Sequence, residues 1–125
     1  MKEIFFKNKL IFYFLNIFIF LEYLYPGSLL GCIIFKNCKI QPQLTPNFII
    51  SSNHFYSFII LSIVGFLTFK KDHQQLFLII YLIFISIILE VIQYFIPGRS
   101  FEYPDLFGNL TGVIVVLVIA QILKK

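Results

Sequence analysis

Glu90, Gln93, Arg99, Asp105 and Asn109 sit in one short stretch between two strongly apolar runs, and His54 stands at the head of an earlier apolar run. Carboxylates and an imidazole exchange protons, an arginine holds an anion through paired hydrogen bonds, and amides orient either kind of group. At lipid depth such side chains lose water that only protein partners can replace, so ionisable groups there are read first as functional. Glu90 and Gln93 are three apart and share a helical face with Ser86, while Asp105, Asn109 and Gly112 make a second polar and small face. At about 1.5 Å per residue, Glu90 lies about 10 Å below Pro97 and Asn109 about 6 Å in from Asp105, so the two faces are expected to meet at similar depth. Gly108 and Gly112 form a small-xxx-small pair expected to let the helix carrying Glu90 approach closely. Asp105, just after Pro104, reads as a helix start whose carboxylate accepts from exposed amides.

Those groups need apolar elements to hold them. The chain of 125 residues is 59% apolar and 19% aromatic, with 17 Phe and no Trp, and its mean hydropathy is +0.91. That is more apolar surface than one small water-soluble core can hide. A net charge of +4 and a pI near 9.1 raise nucleic acid as a partner, but the Lys and Arg residues flank apolar stretches instead of forming a basic face. No nucleic-acid partner is expected; the partner is the lipid bilayer.

Four apolar segments follow, at about 10–25, 54–69, 76–96 and 105–123. Pro26-Gly27, Lys70-Lys71-Asp72 and Pro97-Gly98 supply the turns. The expected fold is an all-α integral membrane protein, a single-domain four-transmembrane-helix bundle with a long extracytoplasmic loop between helices 1 and 2. The third segment is long enough for a hydrocarbon layer of about 30 Å, and the first two are short for it. Lys2, Lys7, Lys9, Lys70, Lys71, Lys124 and Lys125 fall on one side, against Lys36, Lys39 and Arg99 on the other, which places both termini in the cytoplasm. His54, Glu90, Gln93, Arg99, Asp105 and Asn109 then share the outer end. The start Met1-Lys2-Glu3 and Leu29-Leu30-Gly31-Cys32 imitate a lipoprotein signal, but three further spans favour a retained first segment. In the outer loop, Cys32 and Cys38 form either a bridge or two free thiols. Gln41 to Pro46 reads as an extended crossing, and Phe48-Ile49-Ile50 as a segment dipping into the interface.

The string Glu90-x-x-Gln93-x-Phe95-x-Pro97-Gly98-Arg99, then Asp105-Leu106-x-x-Asn109-x-x-Gly112, resembles the signature of VanZ-like membrane proteins, a family named for a teicoplanin-resistance protein. His54 resembles the family's histidine at that place, so the resemblance runs from about Asn53 to the C-terminus. Ile50 and Ser51 stand where an Asp-Lys pair is common, and Phe58 where a Tyr is common. The resemblance implies a multi-pass protein of the bacterial inner membrane, linked in one branch to glycopeptide tolerance, with no reaction established by the family itself.

Two functions from different classes fit these residues. In the first, an enzyme or binder acts on a phosphate-bearing, lipid-linked envelope precursor at the outer leaflet: Arg99, Gln93 and Asn109 bind, while Glu90, Asp105 and His54 do the proton chemistry. In the second, the same cluster only locks helices 3 and 4 by hydrogen bonds, and the outer loop serves a partner. A transporter is a weaker third, because Ser86 alone extends the polar path inward. No glycine-rich phosphate loop, serine elbow or metal-ligand spacing occurs, so no cofactor and no metal are expected. Glu22 reads as an interfacial residue outside the cluster.

Overall fold

In the computed structural model, residues 2–43, 45–47, 49–97 and 99–124 are described, the side chains of residues 2–8 and 124 excepted. Phe48 and Gly98, to which the sequence assigned an interfacial dip and a turn, and Lys125 lie outside the described residues, as do the side chains of Lys2, Lys7 and Lys124. Among the described residues the chain is all helical: α1 Lys2–Leu24, α2 Leu29–Ile34, α3 Ser52–Thr68, α4 Asp72–Gln93 and α5 Tyr103–Lys124. Four are long and one is short, so the loop after the first long helix carries a helix that the sequence did not reveal. The boundaries also move: α1 begins at Lys2 and not near residue 10, and α4 begins at Asp72 and ends at Gln93.

Each terminus has a local cause. Pro26 cannot continue α1, and Gly27 turns the chain with φ of +123°, in the left-handed region, while Ser28 N–H donates to Cys38 O at 2.7 Å. Ser28 then caps α2, its hydroxyl accepting from Gly31 N–H at 3.0 Å. The Cys32–Cys38 disulfide closes that loop on itself. Asn47 Oδ1 accepts from both the amide and the hydroxyl of Ser52, and Asn53 Nδ2 donates to Pro42 O, which ties the extended crossing to the start of α3. Pro97 ends the helical path after α4, where Ile96 N–H turns back to Gln93 O.

The four long helices alternate in direction, so α3 and α5 run parallel and bring their N-termini together, where Ser51 N–H donates to Pro104 O at 3.0 Å. This is the most extensive helix pairing; α1 packs on α3 and α4, and α5 on α3 and α4, leaving α1 and α5 on a diagonal. Gly108 and Gly112 make the close approach possible, and they face α3. A Cβ on Gly112 would stand 2.7 Å from Phe55 O, and one on Gly108 2.8 Å from Ser51 O. The glycine pair therefore admits the second long helix, not the Glu90 helix that the sequence pattern had assigned to it. The reason is geometric: a glycine spacing marks a face for close contact without naming the neighbour.

Phe12, Ile19, Tyr23, Phe58, Leu61, Leu82, Leu89 and Val113 are among the residues that fill the core between the helices. Outside it, large apolar side chains such as Phe14, Phe77 and Leu123 are 72%, 71% and 79% exposed. Exposed apolar surface on this scale marks contact with lipid or another apolar partner. Among the described residues, α4 (Asp72–Gln93) and α5 (Tyr103–Leu123) are long and apolar enough to cross a membrane, and α3 is a shorter apolar helix.

Gly112→Ala tests the helix contact. In an open helix the change would stabilise by up to about 1 kcal/mol. Against the Phe55 carbonyl it is expected to destabilise by about 1–3 kcal/mol, read as a lower thermal midpoint in detergent.

Candidate functional site

The end of the bundle where α3 and α5 begin and α1 and α4 finish collects the polar side chains. Asn109, nearly two turns into α5 and fully buried, sits at its centre. Its Nδ2 donates to Ser86 O of α4 at 2.9 Å. Its Oδ1 accepts from Tyr23 OH of α1 at 2.7 Å and faces His54 Nδ1 of α3 at 3.0 Å. The Ser86 carbonyl can only accept, so it fixes which end of the amide is which. The oxygen then requires Nδ1 of His54 to carry a proton, which in the neutral ring leaves the lone pair on Nε2.

His54 stands between two acids. Nδ1 lies 3.8 Å from Glu90 Oε2, and Nε2 lies 3.7 Å from Asp105 Oδ2. Both separations exceed a hydrogen bond. Glu90 is fully buried; its Oε1 accepts from Glu102 N–H at 3.1 Å, while its Oε2 has no hydrogen-bond partner. The expectation that Asp105 caps its helix is corrected: α5 starts at Tyr103, and among the described residues the Asp105 carboxylate makes no cap bond but turns toward His54. Pro104 takes the early helical position whose missing N–H costs nothing.

Gln93 and Arg99 lie nearer the rim. Gln93, buried, donates from Nε2 to Tyr23 O at 3.0 Å and so joins α4 to the last turn of α1. Arg99 Nη2 donates to Glu22 O and Gly27 O, both at 2.6 Å, and Nε donates to Tyr25 O at 3.1 Å. The guanidinium thereby satisfies the carbonyls that the end of α1 leaves open, where the helix dipole also favours a cation. Glu22 accepts from Leu30 N–H at 2.8 Å and so supports the start of α2. Of the sequence-selected residues, the fold brings His54, Glu90, Asp105 and Asn109 together, and sets Gln93 and Arg99 against the end of α1.

A cavity of about 360 Å³ opens beside this cluster, between α1, α3 and the outer loop. Phe18, Ile19, Ile34 and Ile60 give it apolar walls, and Glu22, His54 and Arg99 supply its charged or titratable border. Tyr23 is the participant that the sequence did not single out. It is buried, its ring centroid is 4.5 Å from that of His54, and its hydroxyl crosses the bundle diagonal to Asn109. Nothing in spacing separates it from the other tyrosines of the chain. The four groups around His54, namely Tyr23, Glu90, Asp105 and Asn109, come from three other helices, so no local ligand or triad spacing exists to be read.

The family model described as VanZ/LLP1 matches residues 1–124. The chain belongs to the VanZ/LLP1 family. The match includes α1 and the outer loop, upstream of the motif that runs from about Asn53, so the helix contributing Tyr23 is part of the family domain. With membership comes the family's association with glycopeptide resistance. Neither a curated protein nor a solved structure shows a match.

Tyr23→Phe and Asn109→Leu rank the two halves of the network. Tyr23→Phe removes one interhelical bond and is expected to cost about 0.6–2 kcal/mol. Asn109→Leu strands the Tyr23 hydroxyl, His54 Nδ1 and the Ser86 carbonyl together, so its thermal midpoint is expected to fall further. Equal shifts for the two would refute the central place of Asn109.

Proposed function

We propose that this VanZ-family protein holds a phosphate-bearing, lipid-linked cell-envelope molecule in the cavity at the outer face of the bacterial inner membrane. The observation that carries the reading is the cavity itself: walls of Phe18, Ile34 and Ile60, whose side chains are also partly exposed on the outer surface, end at Arg99 and His54. An acyl chain finds apolar company along those walls. A phosphate at the border meets the positive charge of Arg99, which persists while its Nε and Nη2 also hold backbone carbonyls. Glu90 and Asp105 lie behind His54 with acceptor capacity unused, as proton chemistry on a bound head group requires.

In this reading all four long helices cross the bilayer, both termini are cytoplasmic, and the loop with α2 lies outside. The excess of Lys at the termini and at Lys70-Lys71 supports that orientation. So does the Cys32–Cys38 disulfide, which persists in an oxidising compartment. The parts of the chain serving glycopeptide tolerance would then face the compartment where the antibiotic acts.

A second reading, in which the polar cluster only locks the helices, draws on Gln93 and Asn109. Their hydrogen bonds end on backbone and side-chain groups of neighbouring helices, which is what interhelical locking needs. The unpartnered Glu90 Oε2 favours the first reading for the acids. Glu90→Gln separates the two, because it keeps shape and most hydrogen bonding while removing the ionisable group. A folded variant with unaltered teicoplanin tolerance would favour locking.

Two measurements test the proposal. Phosphate-bearing lipid co-purifying after mild detergent extraction is expected to fall for Arg99→Ala relative to the natural chain; equal retention would remove head-group capture. For orientation, a membrane-impermeant maleimide is expected to label Cys32 and Cys38 in intact spheroplasts only after reduction. Labelling confined to inverted vesicles would reverse the topology.

A further inference from the structure

We infer that His54, Glu90 and Asp105 form a binding site for a divalent transition-metal ion of the zinc class, set behind the border of the cavity. One nitrogen of His54 and one carboxylate oxygen of each acid lie within 4.8 Å of one another. What points to a cation is the pattern of lone pairs. Asn109 accepts the hydrogen bond of His54 Nδ1–H, and in the neutral imidazole the lone pair then sits on Nε2, which faces Asp105 Oδ2 at 3.7 Å, acceptor against acceptor. Glu90 Oε2 belongs to a fully buried side chain and has no hydrogen-bond donor at all. Acceptors from three helices therefore surround one small volume, and the one donor beside them, His54 Nδ1–H, is spent on Asn109, in an apolar bundle where uncompensated carboxylates are costly.

A dication satisfies all three at once. Zinc binds imidazole nitrogen and carboxylate oxygen at about 2.0–2.2 Å, which sets donors of one ion roughly 3–3.5 Å apart. Binding therefore requires the two carboxyl groups to draw in from the present spacing. A nitrogen donor beside two oxygens favours zinc over magnesium and calcium, which take oxygen ligands. The Asn109 carbonyl behind His54 matches how metal-bound histidines are held by a hydrogen bond to their other nitrogen. Three protein donors leave a fourth position open, the arrangement of catalytic zinc sites. The site is a property of the protein alone and stands independently of the lipid reading; where both hold, the open position is where a phosphoryl oxygen would bind.

The test uses the full chain in detergent, stripped with a chelator and reloaded with Zn²⁺ or Co²⁺. Expected are about one Zn²⁺ per chain after desalting, a rise in thermal midpoint on loading, and a visible Co²⁺ spectrum of nitrogen and oxygen ligation, none of it displaced by Mg²⁺. Glu90→Gln and Asp105→Asn are each expected to weaken zinc binding by more than about ten-fold. His73→Asn, which changes the other histidine, is expected to leave it unchanged. Should either acid variant fail to fold, the stoichiometry and Co²⁺ spectrum of the natural chain decide. Substoichiometric zinc with no Co²⁺ spectrum overturns the site, as does undiminished binding by both acid variants. Loss of lipid retention with zinc binding intact would remove the head-group reading and leave this one standing.

Discussion

The close approach of α3 and α5 at Gly108 and Gly112 is the constraint from which the rest of the polar end follows. Without side chains at those positions, the two helices start beside each other, and His54 in the first turn of one comes opposite Asp105 in the first turn of the other. Running parallel, they also place two positive dipole ends together, a place where an acid such as Asp105 is favoured. Any residue larger than glycine at Gly112 would push against the Phe55 carbonyl and widen this gap. A wider gap would lengthen the His54–Asn109 hydrogen bond, which stands at 3.0 Å.

Around that contact the polar groups, all buried but the part-exposed Asp105, divide into two kinds. Asn109 and Gln93 make good hydrogen bonds to other helices and hold the bundle in one arrangement. Glu90 and Asp105 do not complete theirs: one has an oxygen with no donor, and the other faces a nitrogen that is itself an acceptor. In an interior that penalises unmet polarity, the second kind is the one that calls for a bound species to explain it.

The sequence made much of this legible. Apolar runs bounded by Pro, Gly and Lys marked the four long helices, and the spacing from Glu90 to Gly112 carried both the polar faces and the family. Helix ends were less legible: Lys2, Glu3, Lys7, Asn8 and Lys9 interrupt the apolar pattern at the start of α1, and Asp72-His73-Gln74-Gln75 open α4 with polar residues, so the apolar boundary and the helical boundary do not coincide. α2 escaped notice because six residues carry too little periodicity to announce a helix. The partner of the glycine face and the part played by Tyr23 both depend on which helices become neighbours. Pattern along one helix does not contain that information. Arg99 was legible as a charge but not as a cap, since its acceptors are backbone carbonyls of residues far upstream.

The grip of Arg99 on Glu22, Tyr25 and Gly27 has a mechanical corollary. Because one guanidinium joins the turn after α4 to the junction of α1 with the loop, those segments travel as a single body, while the Cys32–Cys38 cross-link removes slack from the strand between them. Widening the mouth on the α1 side would require three hydrogen bonds to a charged group to part in concert. The more compliant side of the entrance is accordingly the extended crossing from Gln41 to Gln43, where among the described residues the ties are the neutral side-chain bonds Asn53–Pro42 and Gln43–Asn47.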